Sequence, residues 1–335
     1  MSLWLALGLS VFGALIVAAG CLYAVLPWII QPLLRVILRL RYRVKVVGLE
    51  NVPREGPTLI ASNHVSWLDG FIVAAFTPRR GKVLVSAGIV GGPILRPIAV
   101  RAGIIPTPYM GPRAIRAALQ AGAEALDAGD ALAVFPEGQI SRTGIIGPFQ
   151  RGLEAMLKGR EHIPVIPAGL DNLWGSIFSN SQGRFFRKWP QGWRRTVVLA
   201  FGPPVPPPVT AFETRQAVQV QTVLARSIVG EPSQPLDTVD PALPHWDHPE
   251  LGRLAVSTAD INDPAVSLFQ TGTKEGTVGT APPGVALRVV NGHERPCPAD
   301  TPGRIEALLP NRTGWIDTGR AGQLDRGGFV TLHPD

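Results

Sequence analysis

Cysteine is nearly absent. Cys21 and Cys297 are the two in 335 residues, too few for a disulfide framework, and Cys21 lies inside an apolar run, which points to a reduced compartment or a membrane. Charge is scarce too: charged residues make up 17% and hydrophobic residues 45%, the opposite of a disordered chain. The 37 glycines and 33 prolines follow no three-residue period, which excludes a collagen-like rod. No segment recurs at the spacing of a solenoid. The N-terminus lacks the basic stretch that opens a secretory signal. The charge that is present favours Lys and Arg, 32 against 25 acidic residues, for a net +7. Such an excess suits an anionic partner, either a membrane surface or a nucleic acid.

From Leu3 to Ile30 the chain carries no charge. A helix needs about 20 apolar residues to cross the hydrocarbon core, so this run is long enough. Arg35, Arg39, Arg41, Arg43 and Lys45 follow it, and the bias of basic residues toward the cytoplasmic side predicts a single-pass cell-membrane protein with its remainder in the cytoplasm. A buried core helix or an uncleaved signal has the same composition. Residues 31–40 are expected to lie along the headgroups, with Arg35 and Arg39 near anionic lipid. The period then changes to two, which starts a strand at residue 41.

Short apolar runs alternate with helical stretches from residue 42 to about 202. Strands are expected at 58–61, 83–85, 131–135, 165–168 and 196–201, and helices at 67–76, 112–128 and 211–229. This alternation predicts a layered α/β domain, a mixed sheet flanked by helices. The expected organisation is a transmembrane anchor at 1–30, an α/β domain at 31–230, a proline-rich linker at 231–249 and a small β-rich module at 250–335.

Two segments carry chemistry. In Asn63-His64-Val65-Ser66-Trp67-Leu68-Asp69, His64 and Asp69 would not meet on one ideal helix, since five steps of 100° separate them by 140°. They can meet if His64 lies in a turn before the helix, where a carboxylate fixes the imidazole tautomer. Ser66-x-x-Asp69 also reads as a capping box in which His64 is incidental. The second segment, Phe135-Pro136-Glu137-Gly138-Gln139-Ile140-Ser141-Arg142, ends an apolar strand in a turn that carries a carboxylate, a hydroxyl and an arginine. Open α/β sheets place their sites at such strand ends.

Together these segments resemble the glycerophospholipid acyltransferase family, which includes the lysophosphatidate acyltransferases, over roughly residues 42–230. Asn63, His64 and Asp69 match its first block, Phe135–Gly138 its third and Ile163–Pro167 its fourth. The resemblance implies transfer of a fatty acyl group from an acyl thioester, on coenzyme A or acyl carrier protein, to the free hydroxyl of a lysoglycerophospholipid. It implies His64 as general base, Asp69 as its partner, and Asn63, Glu137, Gly138 and Ser141 at the substrate. It implies no cofactor, no metal and no nucleic acid, with membrane lipids and the thioester donor as partners. The second block departs from the family: Gly103-Ile104-Ile105-Pro106-Thr107-Pro108-Tyr109 lacks the arginine thought to hold glycerol phosphate. That proline-rich version resembles the acyltransferase half of bifunctional acyl-carrier-protein synthetases. Arg113, Arg116, Arg142 or Arg151 could take the phosphate, since a guanidinium fork donates paired hydrogen bonds. A catalytically silent lipid-binding or scaffold protein is the alternative.

Three further segments complete the reading. The stretch 184–195 interleaves Phe and Trp with Arg and Lys; on an anchored chain it is expected to be an interfacial surface rather than a nucleic-acid site. His245-x-x-His248 falls in the expected linker without a matching ligand pattern, so no metal site is expected. Residues 251–332 resemble part of the adenylate-forming acyl ligases, through Gly276–Gly279 and Gly314–Gly319. Arg320 stands where that family has the ribose-binding aspartate. The large N-terminal part and the catalytic-lysine domain of that family are not matched, so adenylation is not expected. Thr271-Gly272-Thr273-Lys274 looks like a phosphate loop by accident.

Overall fold

The computed structural model describes residues 3–86, 88, 90, 92–93, 95–107, 111–183, 186, 189, 194–230, 236, 238–263 and 268–334. Residues 108–110, most of 184–193, and 231–235 with 237 lie outside them. So do Pro108 and Tyr109 of the departing block, much of the aromatic-basic stretch, and the first part of the expected linker.

Helix α1 runs unbroken over Leu3–Arg41, through Pro27 and Pro32. It is long and apolar enough to cross a membrane, and none of its most apolar stretch is buried. Its C-terminal third makes contacts that the sequence did not suggest. Gln31 donates to the carbonyls of Ala74 and Thr77, and Arg35 to those of Ala75 and Thr77. Arg39 lies over the ring of Phe76. These groups end helix α2 (Asp69–Phe76), whose last carbonyls lack helical partners and carry partial negative charge. Arg35 and Arg39 are therefore both engaged by α2, Arg35 half-buried and Arg39 still exposed.

Beyond α1 come β1 (Arg43–Val47), β2 (Thr58–Ser62), α2, β3 (Gly81–Ser86), α3 (Leu95–Arg101), β4 (Ile104–Thr107), α4 (Pro112–Asp127), β5 (Ala131–Val134), α5 (Gly152–Leu157), β6 (Val165–Asp171), β7 (Thr196–Phe201) and α6 (Ala211–Val229). The seven strands form one sheet in the order β1-β7-β6-β2-β5-β3-β4. Neighbours are parallel except β6 and β7, so the sheet is mixed and the layered α/β expectation holds. Strands β2, β5, β6 and β7 are buried at every position, as befits strands covered on both faces. Side chains alternate accordingly. Ile60, Ala133 and Ile166 face α2 and the end of α1, whereas Leu59, Leu132, Val134 and Val165 face α4 and α5. Helix α6 lies so close to β6 that a Cβ at Gly169 would stand 2.3 Å from the Gln221 carbonyl carbon, so that position admits only glycine.

The remainder is β-structure. Strands β8 (His245–His248) and β9 (Gly252–Val256) form a hairpin, as do β10 (Ile261–Asp263) and β11 (Leu268–Gln270); β12 (Ala286–Val290), β13 (Gly303–Leu308), β14 (Ile316–Leu324) and β15 (Val330–Leu332) form an antiparallel meander. Strand β8 lies inside the segment read as linker. Its Trp246 is buried in the module's core with Leu254, Leu287 and Ile305, and this burial fixes the strand. Phe212 of α6 enters the same core, which seats the module on the α/β layer.

Candidate functional site

The site forms where β2 and β5 end. Both strands run in the same direction, so the segments after Ser62 and Val134 emerge at one edge of the sheet. Asn63 leaves β2 and turns inward: its side chain donates to the Leu170 carbonyl (2.9 Å) and accepts from the Leu170 amide (2.8 Å). It pins the turn to β6, and both ends of its amide are used there.

His64 follows, before α2 begins at Asp69. Its Nδ1 lies 2.9 Å from Asp69 Oδ2. The same oxygen accepts the amides of Val65 (2.7 Å) and Ser66 (2.8 Å), and Oδ1 accepts the Ser66 hydroxyl (2.6 Å). The capping geometry and the pairing with the imidazole are thus one arrangement, since the carboxylate that closes the start of α2 also faces the ring. Asp69 is wholly buried and His64 is 18% exposed. A carboxylate offers only acceptors, so Nδ1 must carry the proton, and the lone pair of the neutral ring sits on Nε2. Among the described residues Nε2 has no protein partner.

The segment after β5 wraps around His64. The Phe135 ring stacks on the imidazole, with centroids 4.1 Å apart and planes 21° from parallel. Glu137 is buried. Its Oε1 accepts the His64 amide (2.7 Å) and its Oε2 the Gly147 amide (2.8 Å). Burial pushes Glu137 up to about 8, against the two amide donors, which pull it down, and the Arg215 guanidinium, which pulls the same way. Burial in turn brings Arg215 down to about 10, against the pull of Glu137 and Asp325. Both carboxyl oxygens of Glu137 are thus engaged by backbone amides. Glu137 holds the backbone of His64.

Ser141 is likewise buried. Its amide donates to the His64 carbonyl (2.8 Å), and its hydroxyl donates to Ile145 and accepts from Gly144. Gly138 is an exposed turn residue at φ +73°. Arg142 lies 3.6 Å from Asp263, both partly exposed. Arg113 and Arg116 are exposed on the first turns of α4, a helix that packs over β3, β4 and β5. Among the described residues nothing connects them to His64. Arg151 pairs with Glu154 on the surface.

Phe135 and Arg215 were not anticipated. The aromatic residue directly before the Pro-Glu-Gly turn was a signal for the first. The apolar face of α6 that includes Ala211 and Val218, with Arg215 in its midst, was a signal for the second. In the aromatic-basic stretch Phe186 is 60% and Trp189 90% exposed, but Arg195 turns inward to the Trp174 carbonyl (2.8 Å). His245 and His248 contact the carbonyls of Leu243 and Thr318. At 271–274, the amides of Gly272 and Thr273 both donate to Asp260, so a carboxylate occupies the place a phosphate would need.

Residues 43–171 match the family model described as Acyltransferase. The chain is 29% identical over 181 residues to the 1-acyl-sn-glycerol-3-phosphate acyltransferase of Pseudomonas aeruginosa, covering 51% of this chain and 62% of that one; it spans 41% of a chloroplastic relative from Brassica napus. The chain thus spans less than two thirds of these relatives' length. Among solved structures, the 1-acyl-sn-glycerophosphate acyltransferase PlsC of Thermotoga maritima aligns at a TM-score of 0.45 with 22% identity, over 58% of this chain and 75% of that one. A long-chain-fatty-acid-CoA ligase of Archaeoglobus fulgidus aligns at a TM-score of 0.20 with 17% identity, over 27% of this chain and 21% of that one. The stretch that matches the Acyltransferase family model, residues 43–171, is the one that carries His64, Asp69 and Glu137.

Proposed function

We propose that this chain moves a fatty acyl group from an acyl thioester to the free hydroxyl of a lysoglycerophospholipid such as 1-acyl-glycerol-3-phosphate. One observation carries the reading: Asp69 holds His64 Nδ1 at 2.9 Å on a side chain that stays 18% exposed, and among the described residues Nε2 has no partner. The hydroxyl attacks the thioester carbonyl as Nε2 takes its proton, and Asp69 stabilises the imidazolium that forms. The tetrahedral adduct then collapses and expels the thiolate, and Nε2 returns the proton to that sulfur. The products are an ester and a thiol, with no covalent enzyme intermediate. Coenzyme A and acyl carrier protein both supply such a thioester, and the donor is a co-substrate rather than a cofactor.

Of the arginines considered for the phosphate, Arg142 is favoured. It follows Ser141, whose amide is bound to His64. Its pairing with Asp263 is long and partly exposed, and exposed pairs contribute little, so a phosphate dianion can displace it. The long apolar α1 supports a single membrane crossing with the domain on the cytoplasmic side. The test is labelled acyl transfer by membranes carrying wild type or His64→Ala, offered several lysolipids and both donors. General-base catalysis contributes about 10²–10⁴-fold, and His64→Ala is expected to lose that much. Undiminished transfer by the variant would remove His64 from the reaction.

A further inference from the structure

The C-terminal module grips the segment that holds His64, and it does so at both ends. At one end, Gln270 closes strand β11. Its Oε1 accepts the Arg142 amide (2.8 Å) and its Nε2 donates to the Ile140 carbonyl (3.1 Å). One side-chain amide thereby takes the place of a neighbouring strand for two backbone groups, two residues apart. The Phe269 carbonyl accepts the Gln139 side chain (3.1 Å), and Thr238 donates to the Thr143 carbonyl (2.7 Å). Between the two groups bound by Gln270 lies Ser141, whose amide holds the His64 carbonyl.

At the other end, Arg215 is fully buried and donates to the carbonyls of Ile146 (2.9 Å) and Gly147 (3.0 Å). The turn between β14 and β15 lies directly on its guanidinium: a Cβ at Gly328, which sits at φ +82°, would stand 2.1 Å from Arg215 Nη1. The Gly147 amide holds Glu137, and Glu137 holds the His64 amide. Both backbone polar groups of His64 are thus fixed by residues 137–147, and that segment is in turn fixed by the module.

We propose that Gln270 is a positioning residue for His64, and that the C-terminal module serves as a clamp that sets the geometry of the acyltransferase site. The inference rests on the acyl-transfer reading for its catalytic consequence but not for its structural one. A side-chain amide spends both its donor and its acceptor here on one loop, and displacing a reacting group by about 1 Å can cost on the order of a hundredfold in rate.

The test uses the full chain in detergent, wild type against Gln270→Met, which keeps the shape and removes both hydrogen bonds. Two readouts are taken: kcat and KM for acyl transfer to lysophosphatidate, and hydrogen exchange of the peptide spanning 139–147. The expected result is a fall in kcat of about ten- to a hundredfold, larger than any rise in KM that comes from loosening Arg142, with an unaltered unfolding midpoint and faster exchange confined to 139–147. Wild-type kcat, or exchange no faster than wild type, would overturn the proposal. If Gln270→Met fails to fold, Gln270→Glu, which retains the acceptor for Arg142 and loses the donor to Ile140, replaces it with the same readouts. If wild type transfers no acyl group, the functional reading fails and the exchange result alone upholds or refutes the clamp.

Discussion

Replacing Asp69 by asparagine separates what its charge does from what its shape does. Oδ2 accepts from His64 Nδ1 and from the amides of Val65 and Ser66, while Oδ1 accepts the Ser66 hydroxyl. An asparagine can place its carbonyl oxygen where Oδ2 lies and keep those three bonds. Its amino group then faces Ser66 Oγ, which can rotate to accept. The turn, the start of α2 and the imidazole orientation all survive. What disappears is the negative charge beside a ring that must become positive during proton transfer. Two unit charges about 4 Å apart interact by about 4 kcal/mol at an effective dielectric constant near 20. Each 1.36 kcal/mol is a factor of ten in rate, so Asp69→Asn is expected to lower kcat about 10³-fold with KM nearly unchanged. The assay is steady-state acyl transfer by the purified chain, with the unfolding midpoint measured in parallel. A folded Asp69→Asn chain that keeps more than a tenth of wild-type kcat would refute the electrostatic role, because the geometry alone would then suffice.

Other outcomes follow from neighbouring residues. Glu137 has its carboxyl raised from 4.5 to about 8 by burial, so between those values the folded chain binds more protons than the unfolded one, and stability falls as pH rises at up to about 1.4 kcal/mol per unit. Relative to Glu137→Gln, wild type should therefore lose stability across that window in urea titrations, and a difference that stays flat or grows with pH would contradict the burial argument. Asn63→Leu removes the Asn63 side-chain partners of the Leu170 N–H and C=O in a buried place and should destabilise the fold by roughly 2–6 kcal/mol, about 1–3 kcal/mol for each group left unsatisfied. Chemical denaturation measures it, and a loss below about 1 kcal/mol would assign Asn63 a role other than pinning the turn.

Much of the α/β layer was legible because its strands are short apolar runs bounded by turns. Thr196–Phe201 and Ala211–Val229 fall where their patterns place them. The helix read from Trp67 begins at Asp69 instead, since the Asp69 carboxylate binds the amides of Val65 and Ser66 and holds that stretch as a turn. Strand β4 and helix α3 escaped notice: Ile104–Thr107 contains Pro106 and lies at the sheet edge, where a missing N–H is tolerated. The turn at Asn63–Asp69 was readable as a constellation, but its wiring was not. Nothing local says that Asn63 reaches Leu170, 107 residues away, or that Glu137 serves a backbone amide 73 residues before it. Long-range partners of this kind are set by strand order, which a sequence pattern does not encode. The arginines behaved similarly. Arg35, Arg39 and Arg195 look like membrane-facing charges in the sequence, yet each is engaged within the protein.

Helix α2 has Asp69 at one end and the carbonyls held by Gln31 and Arg35 at the other. Its eight residues make a strut of about 12 Å at 1.5 Å per residue. If α1 crosses a bilayer, no slack tether intervenes between the lipid-embedded shaft and the imidazole's carboxylate partner. A single short rod would then set the spacing between the two, and shortening or lengthening it by one turn would move Asp69 by about 5.4 Å along the helix relative to the carbonyls that Gln31 and Arg35 hold.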